Sequence, residues 1–542
     1  MTYVITQNCC NDASCIAECP VDCIRPTPEE RARFASAEML YIDPDSCIDC
    51  GACVDACPVG AVSYEDELTD PQRRFLEFNA GYFAQYPLVP TYDTARIVKL
   101  DGSRGELRVA IVGSGPSGAY VAEELLSRGQ VKVSVYDALP TPWGLLRSGV
   151  APDHQHTKDL AAIFEKTADK AALELHLNVA IGTDVSVDEL LASHHAVVLA
   201  TGAADAQPWD LPGADLTGVS SANDFVAWFN GHPDASDKVF DLSCERVVIV
   251  GNGNVALDVA RVLTMSRDEL LKTDIADHAL EALSNSSVRE VVVLGRRGPL
   301  QAAYTSPEFY ALGFLPGVEV VIDEGEAELD ELSRALVDGG DVSYAEQLKA
   351  GLAGEYAAKT RTGAERRIVF RYLSEPARVL GADRVEGVEI AHTRLREQDG
   401  SLVTERTGES EELVAGLVLT SVGYRGRPID GVPFDEARGV IPNDDGRVVA
   451  APGLYATGWI RRGAKGGLGS SRVDAEEVVD HLVNDFNAAL LSDPSTEAQS
   501  VAAIGLDGWR AIDQHERSAG QSVGRPRVKL VTVPDLLEAA RG

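Results

Sequence analysis

Residues 106–137 read ELRVAIVGSGPSGAYVAEELLSRGQVKVSVYD. An apolar, β-branched run leads into a turn with glycines at Gly113, Gly115 and Gly118, and a helical stretch and a second apolar strand follow. A strand, a G-x-G-x-x-G turn, a helix and an acid about 20 residues further on form a dinucleotide-binding fingerprint, and Asp137 supplies the acid. Gly113 would allow the tight turn, Gly115 the approach of a pyrophosphate, and Gly118 close packing of helix on strand. The free N–H groups of the helix would then face the phosphates, and Asp137 would accept from a ribose hydroxyl.

The chain around this stretch has 542 residues, which is too long for one core and predicts about two to four domains. Its formal net charge of −35 argues against nucleic acid or an anionic membrane as a partner. No apolar run approaches the roughly 18 residues that a membrane helix needs. The start, MTYVITQNCC, lacks the layout of a secretory signal. We therefore expect a cytoplasmic protein.

Cysteine is distributed unevenly. Ten cysteines are present, nine of them lie within the first 57 positions, and only Cys244 lies elsewhere. A disulfide scaffold would need an oxidising compartment, for which the chain carries no targeting signal. The pattern therefore favours a metal-binding segment.

Residues 47–58 read CIDCGACVDACP, which is C-x2-C-x2-C-x3-C-P. This is the bacterial iron–sulfur run, in which the fourth cysteine binds the other of two clusters. The proline prevents the chain from continuing as a helix and turns Cys57 away. A structural zinc site needs only two C-x2-C pairs and leaves the fourth cysteine and its proline unexplained.

Residues 9–20, CCNDASCIAECP, repeat the template imperfectly, because Asp12 stands where the second cysteine is expected. We assign the cysteines to a first and a second cluster as follows: Cys9, Cys15 and Cys57 to the first; Cys19, Cys47, Cys50 and Cys53 to the second, a [4Fe–4S] cluster. A carboxylate is a weaker ligand for iron than a thiolate. The first cluster is thus [3Fe–4S] or [4Fe–4S], with either Asp12 or Cys10 available as a fourth ligand. Cys23 is expected to be a packed free thiol.

Residues 1–85 resemble a two-cluster bacterial ferredoxin of the seven-iron type. The opening TYVIT, the CPVDC and the IDPDSCIDCGACVDACP carry this resemblance. About ten extra residues around PTPEERARFASAEM separate the two halves, and we expect them to form a surface loop. Residues 86–105 show no sustained periodicity and contain Pro and Gly, which predicts a linker that holds the ferredoxin at high effective concentration beside its partner domain.

A second fingerprint lies at 246–262, RVVIVGNGNVALDVARV, with Gly251, Gly253 and Ala256 in the small positions. The next strand, VREVVVLG, ends in Arg296 and Arg297 rather than in an acid. Two guanidiniums favour a 2′-phosphate, which they can bind bidentately. Two sites require two nucleotides, most simply FAD at the first and NADP(H) at the second.

The first domain is closed by later stretches of the chain. HHAVVLATG (194–202) is a strand with the usual exit from an FAD-binding half, and the chain returns near 417–425 with LVLTSVGYR. It ends with GLYATGWIRRGAKGGLGSSRVDAEEVVDHLV, a strand, a Gly-rich loop and a helix. This order would place residues 466–468 on a helix N-terminus that faces the flavin ring.

The predicted fold is an α+β ferredoxin domain (1–85) followed by an α/β flavoprotein with two dinucleotide-binding domains. The FAD-binding domain would comprise residues 106–206 and 423–542. The NADP-binding domain, residues 207–422, would be inserted in it.

Residues 106 to about 535 resemble the adrenodoxin-reductase type of ferredoxin–NADP reductase. The motifs that carry the resemblance are VGSGPSG, WGLLRSGVAPDH, GNGNVALDVAR, LGRRGPLQAAYTSPE and GWIRRGAKGGLGSS. The resemblance implies FAD contacts from Ser117, Asp137, Leu145, Val185, Trp459, Gly466, Gly467 and Leu468, together with the first glycine turn. It implies NADP contacts from Gly251, Asn252, Gly253, Asn254, Val255, Arg296, Arg297, Glu308 and Gly466. His154 and Asp258 match the pair implicated in proton handling or in ordering the flavin site.

These features predict a reductase that passes electrons from NADPH through FAD to its own iron–sulfur clusters, and then to a ferredoxin, a haem monooxygenase or another one-electron acceptor. The alternative is an electron-input module like the small subunit of glutamate synthase, although that family differs in cysteine spacing. A thioredoxin-reductase mechanism lacks its C-x-x-C pair, since only Cys244 follows Cys57. A redox sensor without activity would require loss of a nucleotide site, yet both fingerprints are intact.

Overall fold

The computed structural model describes residues 2–89, 97–497 and 501–542, so residues 90–96 of the predicted linker lie outside the described residues. The cysteine-rich region has the following elements: β1 (Tyr3–Ile5), α1 (Ser14–Ala17), β2 (Ile24–Arg25), α2 (Arg31–Ser36), β3 (Tyr41–Ile42), α3 (Ala52–Ala56), β4 (Val62–Tyr64) and α4 (Arg74–Gln85). β1 pairs with β4 and β2 with β3, both antiparallel. The buried Asn79 side chain joins the two pairs, because its Oδ1 accepts from the backbone N–H groups of Ile5 and Ile42.

The next segment follows the predicted strand–turn–helix order. Its elements are β5 (Leu107–Val112), α5 (Pro116–Ser127), β6 (Val131–Asp137), α6 (Leu145–Ser148), α7 (Gln155–Lys158), α8 (Ala161–Ala168), β7 (Leu173–Leu177), α9 (Val187–Ser193), β8 (Ala196–Leu199) and β9 (Asp205–Ala206). The strands are rich in β-branched residues and β5 and β8 are almost wholly buried, as expected for parallel strands covered on both faces.

The middle segment repeats the pattern and adds a hairpin. Its elements are β10 (Val219–Ser221), α10 (Ala222–Phe229), β11 (Arg246–Val250), α11 (Asn254–Thr264), α12 (Arg267–Leu270), α13 (Asp277–Ser284), β12 (Glu290–Leu294), α14 (Ser306–Ala311), β13 (Val318–Ile322), α15 (Glu324–Ala327), α16 (Glu331–Gly339), α17 (Tyr344–Ala358), β14 (Arg366–Arg371), β15 (Ser374–Leu380), β16 (Gly387–Gln398), β17 (Ser401–Val414) and β18 (Leu417–Thr420).

The last segment returns to the first sheet. Its elements are β19 (Tyr424–Arg425), β20 (Asn443–Asp444), β21 (Arg447–Val448), β22 (Leu454–Ala456), α18 (Trp459–Arg462), α19 (Leu468–Asn487), α20 (Leu506–Ser522) and α21 (Val533–Ala539). Among the described residues, no helix combines the length and apolar character needed to cross a membrane.

Two large sheets organise the described chain after residue 106. The seven-stranded sheet has the order β20-β21-β22-β8-β5-β6-β7, and the six-stranded sheet the order β10-β18-β11-β12-β14-β13. In sequence, every strand of the second sheet lies between β8 and β20 of the first. The short β9–β19 pair joins the two chain crossings. LVLTSVGYR is divided between these parts, since β18 belongs to the second sheet and the return begins at β19.

The cysteine-rich region packs directly on the second sheet's helices, rather than being held beside them only by a linker. Tyr310 of α14 makes edge contacts with Phe75 and Phe78 of α4, at ring-centroid distances of 5.8 and 5.5 Å. Tyr344 of α17 makes similar contacts with Tyr41 and Tyr82. The apolar core of the cysteine-rich region is therefore continuous with that of the second sheet.

The prediction of a surface loop around residues 26–39 is wrong. This insert contains helix α2, and its Phe34 is buried. Glu38 accepts from the backbone N–H of Ser306 at 2.6 Å and pairs with Lys349 at 3.2 Å. On the other side Arg31 pairs with Glu477 of α19. The insert contacts both sheet-bearing parts because its polar groups find partners there.

Candidate functional site

The first glycine turn has the geometry that nucleotide binding requires. Gly113 has φ of +103°, and a Cβ there would lie 2.5 Å from the Ala200 carbonyl oxygen. A Cβ on Gly118 would lie 2.0 Å from the Gly113 carbonyl, so no side chain fits at either position. At Gly115 only Gly144 comes within 4 Å, which leaves the backbone at the start of α5 open to a phosphate.

Asp137 ends β6, as predicted, and its carboxylate is bound to the same turn. Oδ2 accepts from the Ser114 N–H at 2.9 Å and from the Ser114 hydroxyl at 2.6 Å, while Oδ1 accepts from the Leu139 N–H. Burial raises the pKa of Asp137, and these hydrogen bonds act against that rise. The acid therefore fixes the conformation of the glycine turn.

Other residues predicted to bind FAD come from several elements. Ser117 lies against the last domain segment, because a Cβ on Gly458 would lie 2.1 Å from its hydroxyl oxygen. Leu145 begins α6 and is 42% exposed, whereas Val185 is buried in the apolar cluster beneath β5 and β8. Gly467 caps α19, which begins at Leu468.

The second glycine turn repeats the first. Gly251 has φ of +106°, and a Cβ there would lie 2.2 Å from the Ser421 carbonyl oxygen. Gly253 caps α11 and has nothing within 4 Å of a Cβ position. Ala256 is fully buried where helix and sheet pack. The amino end of α11 is thus open in the way a pyrophosphate needs.

Two asparagines connect this turn to the segment before α14. Asn254 accepts from the Thr305 N–H at 2.8 Å and donates to the Thr305 hydroxyl, and Asn252 accepts from the Ala303 N–H at 3.3 Å. Their side chains therefore position the loop that leads to Glu308, and Val255 follows in the first turn of α11.

Arg296 and Arg297 follow β12 directly. Arg296 is exposed and Arg297 half-buried, and within the described residues neither side chain pairs with a carboxylate. The Nε of Arg297 is buried without a hydrogen-bond partner. Two unpaired guanidiniums at the carboxyl end of a parallel strand fit a phosphate group.

His154, Asp258 and Glu308 come together at the junction of the two sheets, with their ligand-type atoms within 4.8 Å of one another. Arg261, one turn after Asp258 on α11, lies among them. Its Nη2 is 2.7 Å from Asp258 Oδ1 and 2.8 Å from His154 Nε2, and its Nη1 is 3.6 Å from Glu308. Its Nε donates to Asp153.

This arrangement has two chemical consequences. The guanidinium supplies positive charge beside the carboxylates. Because an arginine can only donate, His154 Nε2 must be the acceptor, which leaves the ring proton on Nδ1. The burial of Arg261 opposes its charge, but the nearby carboxylates raise its pKa further above the usual range.

Trp459 and Gly466 form the neighbouring wall. Trp459 Nε1 donates to the Gly466 carbonyl at 3.0 Å, and its ring stacks on Tyr424 at a centroid distance of 5.8 Å. Burial, followed by the charge of Asp258, raises the pKa of Tyr424. Tyr424 therefore connects Trp459 with the Asp258 group.

The first set of cysteines lies on the inner side of the cysteine-rich region. Burial raises the pKa of the Cys9 thiol to about 12, and the charges of Cys57 and Asp12 also raise it. Cys15 is buried in the same electrostatic environment, near Cys9, Asp12 and Cys57. The three thiols assigned to one cluster are thus close enough to influence one another electrostatically.

Asp12 is engaged elsewhere. One carboxylate oxygen accepts from the Ser14 hydroxyl at 2.5 Å and lies 3.5 Å from Arg472 of α19. Arg472 also donates to the Ser14 hydroxyl at 2.9 Å. The side chain is only 8% exposed, and both of its carboxylate oxygens accept from Ser14, one from the backbone N–H and one from the hydroxyl.

The second set of cysteines opens to the outside. Cys19, Cys47, Cys50 and Cys53 line one pocket with Tyr3. Cys50 is exposed, in contrast to the first set. Cys23 lines the same pocket, buried, with its Sγ 3.5 Å from that of Cys19. The four thiolates predicted for a [4Fe–4S] cluster therefore surround one space.

The loop of the first set touches the helix that begins at Leu468. The Gly469 N–H donates to the Cys10 carbonyl at 3.1 Å. A Cβ on Gly469 would lie 1.8 Å from the Asn11 carbonyl oxygen, so the two backbones meet without space for a side chain. The first cysteine set thus lies at the amino end of α19, next to Gly466–Leu468.

Comparison with known proteins agrees with these two parts. The family described as 4Fe-4S binding domain matches residues 40–63, and the family described as Pyridine nucleotide-disulphide oxidoreductase matches residues 107–293. A Mycobacterium tuberculosis (strain ATCC 25618 / H37Rv) protein named "Probable ferredoxin/ferredoxin--NADP reductase" is 46% identical over 100% of this chain and 95% of its own length. The chain belongs to the ferredoxin/ferredoxin–NADP reductase family. A Mycobacterium leprae relative of the same name is 45% identical over 100% of this chain and 98% of its own length.

The reductase part also matches a solved structure of this family's fold. The structure titled "Mycobacterium tuberculosis FprA in complex with NADPH" is 41% identical, covers 81% of this chain and 100% of its own chain, and superposes with a TM-score of 0.76. The resemblance to a ferredoxin joined to an adrenodoxin-reductase-type enzyme is therefore confirmed.

Three residues of the site were not predicted from the sequence. Arg261 stands in the quoted ALDVAR motif, three residues after Asp258, and that helical spacing could have indicated a pair. Tyr424 and Gly469 carry no local signal, because their roles arise from contacts with Trp459 and with Asn11.

Proposed function

We propose that the chain is an NADPH-dependent flavoprotein reductase that carries electrons from NADPH through FAD to the clusters of its own ferredoxin domain, and then to an acceptor protein. The observation that carries the proposal is the backbone contact of Gly469 with Cys10 and Asn11, which joins the first cysteine set to the proposed flavin site. When bound, the nucleotides supply hydride transfer and the clusters supply single-electron transfer.

The FAD site would be formed by the first glycine turn and the last segment. Gly113, Gly115 and Gly118 leave room for the pyrophosphate, and Asp137 would accept from the ribose. Ser117, Leu145 and Val185 would complete the nucleotide contacts. Trp459, with Gly466, Gly467 and Leu468, would cover the ring and exclude water from it.

The NADP(H) site would be formed by the inserted domain. Gly251 and Gly253 would admit the pyrophosphate to α11, and Arg296 and Arg297 would bind the 2′-phosphate. Asn252, Asn254 and Val255, together with Glu308, would line the remainder, and Gly466 would lie at the nicotinamide. We infer that the NADP-binding domain, residues 207–422, is inserted between the FAD-binding parts, 106–206 and 423–542, after a ferredoxin domain (1–85) and linker (86–105).

His154 and Asp258 would order the space where the two rings meet. Arg261 donates to His154 Nε2 and to Asp258 Oδ1, so both side chains keep one orientation. Because this geometry is already present, nucleotide binding would require no rearrangement of these two side chains.

For the clusters, Cys19, Cys47, Cys50 and Cys53 would hold the [4Fe–4S] group. Cys9, Cys15 and Cys57 would hold the other with three thiolates. The hydrogen bonds of Asp12 to Ser14 and its pair with Arg472 support a [3Fe–4S] cluster at this position. The competing assignment is a [4Fe–4S] cluster with Cys10, whose thiol is buried near Cys9 and Cys57, as the fourth ligand.

The acceptor would be a ferredoxin, a haem monooxygenase or another one-electron protein, and we propose the cytoplasm as the location. NADPH-driven reduction of cytochrome c by the purified holoprotein tests the function. We expect rapid reduction with NADPH and much slower reduction with NADH. Absence of activity, or equal rates with both nucleotides, would contradict the proposal.

A further inference from the structure

The ferredoxin domain has two unlike faces. Its inner face, residues 9–14, is covered by α19. Gly469 of this helix donates to the Cys10 carbonyl, and Arg472 donates to the Ser14 hydroxyl. An external protein therefore has no access to the first cysteine set along this side. Any protein that exchanges electrons with the domain has to approach elsewhere.

The outer face differs in exposure. Cys50 is exposed, and two apolar side chains on the same iron–sulfur run are also exposed, Ile48 by 58% and Val54 by 37%. Such side chains beside an exposed ligand form the type of contact area that a transient protein partner covers.

The outer face is also acidic. From Leu40 to Gln72 the sequence has eight Asp or Glu residues and no Lys or Arg. Asp66 and Glu67 are exposed and follow the end of β4, whose Tyr64 pairs with Tyr3 of β1 and packs edge-on against its ring at a centroid distance of 5.3 Å. Tyr3 lines the pocket of the second cysteine set, so these carboxylates stand at its rim.

We propose that the face around Cys50, Ile48 and Val54, with the acidic rim of Asp66 and Glu67, is the docking surface for a redox protein with a basic face. Complementary charge would bring the partner to the exposed second set, while the covered inner face stays unavailable. This inference rests on the proposed function, because it concerns the acceptor of the same electrons.

The test measures binding, not turnover. Oxidised holoprotein is titrated with cytochrome c, a basic haem protein, by calorimetry at low ionic strength and without NADPH. The double variant Asp66→Lys/Glu67→Lys is compared with a control of equal charge change, Glu397→Lys/Glu409→Lys, on the exposed hairpin of β16 and β17. We expect about tenfold weaker binding in the first variant and less than about a twofold change in the control. Equal losses in both variants, or none in either, would overturn the proposal.

A second variant distinguishes the two faces. Gly469→Ala places a methyl group against Asn11 and opens the inner face, whereas Gly351→Ala, in α17, meets open space. Both variants should bind cytochrome c as the parent does. Tighter binding by Gly469→Ala alone would assign docking to α19 and overturn the proposal. Ferricyanide reduction with NADPH is measured separately, so a failure of the reductase function would be recognised as such.

Discussion

Arg261 Nη2 lies 2.8 Å from His154 Nε2, and one guanidinium thereby holds the histidine and the Asp258 carboxylate together. The guanidinium has to donate, so the bond fixes the histidine proton on Nδ1. The group also joins the two sheets, because Asp153 and His154 precede α7 and Arg261 belongs to α11.

The first prediction concerns this arginine. Arg261→Gln should lower the free energy of unfolding by about 3 kcal/mol, because it leaves three half-buried carboxylates without their counter-charge. Denaturant unfolding of the holoprotein measures this, and nitrogen NMR of His154 reports the tautomer. Arg267→Gln, an exposed neighbour, should change stability by less than about 0.5 kcal/mol. A similarly small effect for Arg261→Gln would contradict the assignment.

Acid should destabilise the protein through its buried carboxylates. Burial acts to raise the pKa of Asp153, but the charge of Arg261 and its hydrogen bond to the carboxylate lower it to about 2. Arg147 and Arg527 likewise lower the pKa of Glu516 against its burial. A depressed folded-state pKa gives stability that is present above the unfolded value, near 4, and is lost as the pH falls toward about 2.

For Asp153 alone the loss amounts to about 2 kcal/mol. Unfolding midpoints measured between pH 6 and pH 2 test this, with Asp153→Asn expected to flatten the dependence. If Asp153→Asn loses as much stability in acid as the parent, Asp153 is not the source of the acid sensitivity.

The choice of nucleotide depends on the arginine pair. Arg296→Gln/Arg297→Gln should raise the KM for NADPH by about 100-fold, because two charge-assisted contacts to the 2′-phosphate are lost. The rate with NADH, which lacks that phosphate, should stay near its parent value. Arg396→Gln on the exposed hairpin serves as the control. An unchanged KM for NADPH would exclude the pair from the site.

The first cluster can be identified by EPR. We expect a paramagnetic [3Fe–4S] signal in the oxidised protein, because Asp12 is bonded to Ser14 and Arg472 instead of being free to act as a ligand. Asp12→Asn should keep the signal, since three thiolates remain. Loss of the signal in Asp12→Asn would identify Asp12 as a ligand. Absence of the signal from the parent protein would identify the cluster as [4Fe–4S].

The sequence predicted those parts of the molecule that depend on local patterns. Both glycine turns follow a β-branched strand and cap a helix, and their positions are apparent because a tight turn allows no side chain at Gly113 or Gly251. The assignment of the cysteines to two clusters rests on their spacing and stays a prediction, and the four thiols assigned to the second set do line one pocket.

The packing of the cysteine-rich region against the rest of the chain could not be predicted from local patterns. The contact of Gly469 with Asn11 joins residues more than 450 positions apart, and a glycine after a Gly-rich loop carries no sign of it. The insert at 26–39 looked like a loop because its pattern is short and polar. Glu38 becomes structured through Ser306 and Lys349, which are distant in sequence.

We propose that one chain carries electrons from NADPH to the clusters held by its own two cysteine sets. Anaerobic mixing of the holoprotein with NADPH, followed by rapid freezing and EPR, tests it most directly. We expect the iron–sulfur signals to change to those of reduced clusters, and NADH in place of NADPH to cause a much slower change. If the flavin absorbance bleaches but the clusters remain oxidised with both NADPH and NADH, electron transfer from the flavin to the clusters would be contradicted.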